Sequence, residues 1–134
     1  MSYYTLLMRN ESIDFGSYSA EDMQKIIADF DAWNDKMLSQ GQLIASASLQ
    51  GSFGKILRGG AVSDGPYSEA REVVGGLFLI QAADEDEAVA IASGCPFLPR
   101  GGSIEVRLTT ELEFEDTALG IVQAHMQARV EKQK

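Results

Sequence analysis

The stretch S-D-G-P-Y-S-E-A-R-E-V-V-G-G-L-F-L-I, residues 63–80, decides the fold. Its second half runs on to Ala82 and is the most apolar strand-like segment of the chain, with Leu77 to Ile80 apolar at every position. A strand that is apolar on both faces belongs inside a sheet rather than at its edge. Gly75-Gly76 within it predicts a bulge or a close backbone approach. The first half, Asp64-Gly65-Pro66-Tyr67, is a turn by residue type. It stands one short charged segment ahead of the strand and is expected at the rim of a pocket.

Upstream, Lys55 to Arg58 and Ala61 to Ser63 flank Gly59-Gly60, a two-residue hairpin signal, and read as a short inserted hairpin. Leu43 to Leu49 alternates as a strand, with Leu43, Ala45, Ala47 and Leu49 facing one way and Ile44, Ser46 and Ser48 the other. Its small side chains leave room on a sheet face for a pocket, or for tight helix packing. Ser19 to Gln40 reads as an amphipathic helix. Ser19 is its N-cap, Asp22 the acid of the first turn and Gly41 the stop. Met23, Ile26, Ile27, Phe30, Trp33 and Met37 share one face, which packing alone explains. Tyr3 to Met8 is a first strand, expected to be buried on both faces.

Downstream, Asp84 to Ser93 reads as a second helix opened by the Asp84/Glu87 cap pair, and Pro99 to Gly102 as a loop. Ser103 to Thr109 is a last strand with Ile104, Val106 and Leu108 inward and Glu105 and Arg107 on the other face. Residues 1–110 form one domain by this reading, and residues 111–134 an acidic linker and a C-terminal helix. Without the hairpin the order is βαββαβ, the α+β ferredoxin-like split unit, whose first and third core strands lie in the middle. Both helices then cover one face of the sheet. The other face carries apolar side chains and is expected to be covered by a second copy in a homodimer.

The chain has 134 residues and is 45% hydrophobic and 23% charged, enough for one folded domain. A net charge of −9 argues against direct nucleic-acid binding and against anionic membranes. No stretch approaches a membrane span, and MSYYTLLMRN lacks signal-peptide character. The one cysteine, Cys95, forms no internal disulfide and fits a reducing compartment, so a cytoplasmic location is expected.

Ser63-Asp64-Gly65-Pro66-Tyr67, Glu69, Val74 to Ile80, Asp84 to Ala88 and Gly102 to Arg107 together resemble the YCII-related proteins of the DGPF-domain type, over roughly residues 3 to 110. The resemblance implies a dimeric α+β barrel. It implies a small cyclic or acidic ligand with lyase- or isomerase-type chemistry or, for some DGPF proteins, a regulatory role in transcription initiation exercised through protein contacts. Enzymatic relatives resemble one another in pairing a His with an Asp. Here His125 is the first and only histidine, so that pair does not form within the matching stretch.

Asp64 is the candidate general acid or base, against a plain turn role in which its carboxylate accepts backbone N–H bonds. Tyr67, Ser46, Ser48, Arg58 and Arg107 are candidate ligand-binding residues. The arginines suit an anion, or a neighbouring carboxylate in the case of Arg107. Glu69, Arg71 and Glu72 read as a solvated charge run, against a place at the pocket mouth, and Cys95 reads as a buried structural thiol. His125 restores a His–Asp pair only by reaching a partner's pocket. With one His and one Cys far apart, no metal and no cofactor is expected.

Overall fold

A computed structural model describes residues 1–10, 18–49, 54–65, 73–110, 127, 128 and 131. The order is β1 (Ser2–Asn10), α1 (Ala20–Ser39), β2 (Leu43–Ser48), β3 (Lys55–Arg58), β4 (Ala61–Asp64), β5 (Val73–Ala82), α2 (Glu85–Ala92) and β6 (Ser103–Thr109). Four strands form one antiparallel sheet in the order β2-β5-β1-β6, with β3 and β4 a separate ribbon. The two most apolar strands, β1 and β5, are therefore central, and the α+β ferredoxin-like plan holds. Tyr67 and His125 lie outside the described residues, as does nearly all of 111–134. Among the described residues no helix is long and apolar enough to cross a membrane.

Local chemistry starts and stops the elements as expected. Ser19 Oγ accepts from the Asp22 N–H at 3.0 Å, satisfying one orphan donor of α1. At α2 the cap is reciprocal: Asp84 Oδ1 accepts from the Glu87 N–H at 2.8 Å while Glu87 Oε2 accepts from the Ala83 N–H at 2.6 Å. Gly59 takes φ 58° in the two-residue turn joining β3 to β4. Leu98–Arg100, overlapping the expected loop Pro99 to Gly102, forms one 3-10 turn. Arg100 fastens that turn to α1 through Asp29 at 2.9 Å.

One face of the sheet is closed by the helices. Tyr4, Leu6 and Met8 of β1 and Phe78, Ile80 and Ala82 of β5 are buried against Trp33 and Met37 of α1 and Ala88 and Ala92 of α2. Leu6 and Ile80 are fully buried, each contributing about 1.5–3 kcal/mol of transfer free energy. Trp33 joins the layers. Its ring stands edge-on to Phe78 at 4.8 Å and to Phe30 at 6.2 Å, and its Nε1–H donates to the Ile91 carbonyl at 3.1 Å. The opposite face carries Tyr3, Leu7, Leu77 and Leu79 beside Arg9, Glu105 and Arg107, since directly paired residues share a face. β1 is thus buried on its helix face and only half-buried on the other, not buried on both as the apolar run predicts.

Two bulges shape the sheet. In β5 the register passes from Met8↔Gly76 to Arg9↔Val74, leaving Gly75 unpaired, so the glycine pair marks a bulge as its residue type predicts. A Cβ at Gly76 would stand 2.8 Å from Met8 Cε and 3.0 Å from the Ala47 carbonyl oxygen, which is why glycine occupies that rung. In β2 the register passes from Leu43↔Ile80 to Ala45↔Leu79, leaving Ile44 unpaired. The expected alternation is corrected here. Leu43 shares the helix face with Ser46 and Ser48, which pair with Phe78 and Gly76, while Ala45 and Ala47 turn away. The extra residue at Ile44 inverts every later side chain.

Candidate functional site

A cavity of about 340 Å³ lies between α1 and the β2 edge of the sheet. Its helix wall is Ile26, Ile27 and Phe30, flanked by Asp31 and Asn34, and its sheet wall is Ser46, Ser48, Met8, Val73, Gly75 and Phe78, with Phe97 closing one end. The void has a simple origin. β2 presents only Ser46 and Ser48 to the helix layer there, side chains too small to fill the space. Ile27 stays 54% exposed on the apolar face of α1 because it meets cavity rather than core.

The lining decides what the cleft can do. It is mostly apolar, with a few polar groups, the usual composition of a small-molecule site. Asn34 Oδ1 is buried with no hydrogen-bond partner. Such an atom loses the interaction it had with water, a cost of about 1–3 kcal/mol. No described lining residue is a His, Lys, Arg or Cys, and the one carboxylate of the described lining, Asp31, has no hydrogen bond to Ser46 or Ser48 among the described contacts. The described lining is equipped for binding and orientation.

Three other described residues singled out in the sequence, Asp64, Arg58 and Arg107, stand elsewhere. Asp64 is the last residue of β4, paired across the ribbon with Lys55 and ion-paired to its Nζ, with the two side chains 83% and 69% exposed. The ribbon continues one step beyond the expected hairpin, because the Gly65 N–H donates to the Gly54 carbonyl at 2.6 Å. Asp64-Gly65 is therefore the closing rung of a ladder, and the rest of the expected turn, Pro66-Tyr67, lies outside the described residues. Arg58 is exposed on β3. Arg107, on the face away from the helices, lies 3.7 Å from Glu105 Oε1, and Glu105 Oε2 in turn accepts from Arg9 at 2.8 Å. Asp64, Arg58 and Arg107 do not line the cleft; Ser46 and Ser48 do.

Cys95 is buried with its thiol 3.8 Å from Met8 Sδ. Burial raises its pKa above the ordinary value of 9.0, and the backbone N–H groups of Phe97 and Leu98 oppose the shift. That environment keeps the thiol protonated and unreactive near neutral pH. Among the described residues no three His, Cys, Asp or Glu side chains converge as a metal site.

Reading the residues in order missed Asp31 and Asn34. Both follow apolar positions of α1 by one turn, Asp31 after Ile27 and Asn34 after Phe30, and so belong to the margin of the apolar stripe. That spacing was the available signal.

Two comparisons bear on the chain. A family model for the YCII-related domain matches residues 2–113. An uncharacterized protein of Rhizobium meliloti (strain 1021) is 32% identical over 117 residues, covering 80% of this chain and 90% of the relative.

Proposed function

The chain belongs to the YCII-related domain family, and from that premise we propose that it is a homodimeric small-molecule-binding protein whose site is the cleft between α1 and β2. The observation that carries the reading is a cavity of about 340 Å³ walled mostly by apolar side chains, with Asn34 at its margin carrying a buried carbonyl oxygen that has no hydrogen-bond partner. That volume admits a ring compound of roughly a dozen heavy atoms. The half-buried apolar row Tyr3, Leu7, Leu77 and Leu79 on the sheet face away from the helices supports the homodimer, since such a row gains by being removed further from water.

Acid–base chemistry at Asp64, of lyase or isomerase type, asks that carboxylate to leave Lys55 and meet a bound molecule. Its exposure and its ion pair give that step no support. A ladder-closing role accounts for the same geometry.

The test is titration with indole followed by amide NMR, comparing the wild type with Ser46→Trp. Indole is expected to shift the amides of Ser46, Ser48 and Phe78 in the wild type, and to shift none of them once the larger side chain fills the cleft. Equal shifts in both proteins, or no shift in either, refute the site.

A second reading, a non-catalytic protein-interaction module, is favoured by the ribbon. Leu57 and Val62 face each other across β3 and β4 and are 74% and 65% exposed. Replacing both by serine separates the readings: it abolishes capture of a protein partner if the module reading holds, and leaves indole binding intact if the cleft reading holds.

A further inference from the structure

The cleft is asymmetric in its polar chemistry. Among its described lining residues Asp31 is the only ionised side chain, and it has no ion-pair partner among the described residues. Three residues on along α1 comes Asn34, whose Oδ1 is buried without a donor. Residues three apart on a helix are surface neighbours, so one carboxylate and one amide share the same margin of the cavity. Phe30 of the helix wall and Phe78 of the sheet wall supply aromatic surface.

We propose that the cleft selects a ring compound carrying a hydrogen-bond donor, above all a protonated amine, through Asp31 and Asn34. This rests on the reading of the cleft as a binding site and narrows it away from the acidic ligands expected from the family resemblance. The physical grounds are three. Once the Asn34 side chain turns its stranded oxygen toward the cleft, an ammonium N–H satisfies that acceptor, which a carboxylate lacks the hydrogen to do. An ammonium is attracted to the Asp31 carboxylate and to an aromatic face, whereas a carboxylate is repelled by the first and meets no described cation in the lining. The net charge of −9 adds a longer-range field of the same sign. Asp31 is itself exposed, so solvent screens it and the expected selectivity is modest, roughly three- to tenfold between amine and neutral alcohol.

The experiment uses three probes of one shape, 2-phenylethylamine, 2-phenylethanol and 3-phenylpropionate, titrated into the full chain by calorimetry at low and high salt. The expected order is amine, then alcohol, then carboxylate, with the amine's advantage shrinking as salt rises. Asp31→Asn is expected to remove the amine's advantage while leaving the alcohol within about twofold of its wild-type affinity. Asp35→Asn removes the same charge from a residue of α1 that does not line the cavity, and is expected to keep the advantage. The proposal is overturned if the carboxylate binds as tightly as the amine, if the preference survives Asp31→Asn, or if Asp35→Asn abolishes it equally. Those results leave the cleft a binding site of different selectivity. Absence of binding by all three probes overturns the cleft reading as well.

Discussion

Replacing Gly94 by alanine tests how α1 is held against α2, and the structure supplies the size of the effect. A Cβ at Gly94 would stand 2.9 Å from both Cδ1 and Nε1 of Trp33, closer than real carbon contacts permit. The indole has little freedom to retreat, since it lies edge-on to Phe30 and Phe78 and its N–H is bonded to the Ile91 carbonyl. Overpacking of this kind costs about 1–3 kcal/mol, and displacement of the indole endangers a hydrogen bond worth about 1 kcal/mol. Alanine also stiffens the unfolded chain, which returns about 0.4–1 kcal/mol. Gly94 is not among the residues with positive φ, so no backbone strain enters. The net expectation is a loss of about 1–2.5 kcal/mol, read as a drop in the urea midpoint followed by tryptophan fluorescence. Trp33→Phe removes the two indole atoms that the new methyl would strike. That change alone costs about 2–3 kcal/mol through lost volume and the lost N–H bond. In its background Gly94→Ala is expected to cost almost nothing, giving a coupling of at least about 1 kcal/mol by far-UV circular dichroism. A neutral or stabilising Gly94→Ala, or an equal cost in both backgrounds, refutes the reasoning.

Three further outcomes are expected. Leu79→Lys puts a charge on the sheet face away from the helices and should weaken the proposed dimer at least about 100-fold by sedimentation, with secondary structure intact; an unchanged dimer would move the interface elsewhere. Because burial raises the Cys95 thiol, the unfolded chain ionises it first. Stability from this group is therefore fully present below about pH 9 and lost as pH rises through the folded value, so Cys95→Ala should flatten the alkaline decline in urea midpoint, and an identical decline in both proteins would contradict it. Asp64→Asn breaks an exposed ion pair and should change stability by no more than about 0.5 kcal/mol; it should also leave indole binding within about twofold, and loss of binding would return Asp64 to the site.

Much of the fold was legible because local and long-range signals agree. The uniformly apolar runs of β1 and β5 mark central strands, and both strands are central. The Asp84/Glu87 pair reads as a cap and forms one on both sides. Gly59-Gly60 reads as a tight turn and adopts one. The site was less legible, for a reason of register. Nothing in L-I-A-S-A-S tells which residue is extra, and regular alternation sets Leu43 with Ala45 and Ala47. The unpaired Ile44 breaks that rule and brings Ser46 and Ser48 beneath α1. The Asp64-Gly65-Pro66 sequence looks like a turn from residue types alone. The pairing of Asp64 with Lys55, which only a folded ribbon creates, makes Asp64 itself a strand end. Asn34 drew no notice because a lone amide on a helix carries no pattern; its meaning comes from a buried oxygen without a donor.

The unpaired residue in β2 also gives the strand a kind of reading frame. The same few residues hold two alternative inner surfaces, one of hydroxyls and one of methyls, and the position of a single spacer selects between them. Excising Ile44 would straighten the strand yet keep the hydroxyls inside. Sliding the spacer past Ser48 would exchange them for alanine methyls without altering composition. Since β2 borders the sheet and has only β5 as a neighbour, such a shift disturbs one ladder and spares the rest. Single-codon insertions and deletions at this border are thus a short route by which descendants of one scaffold acquire wet or greasy pockets.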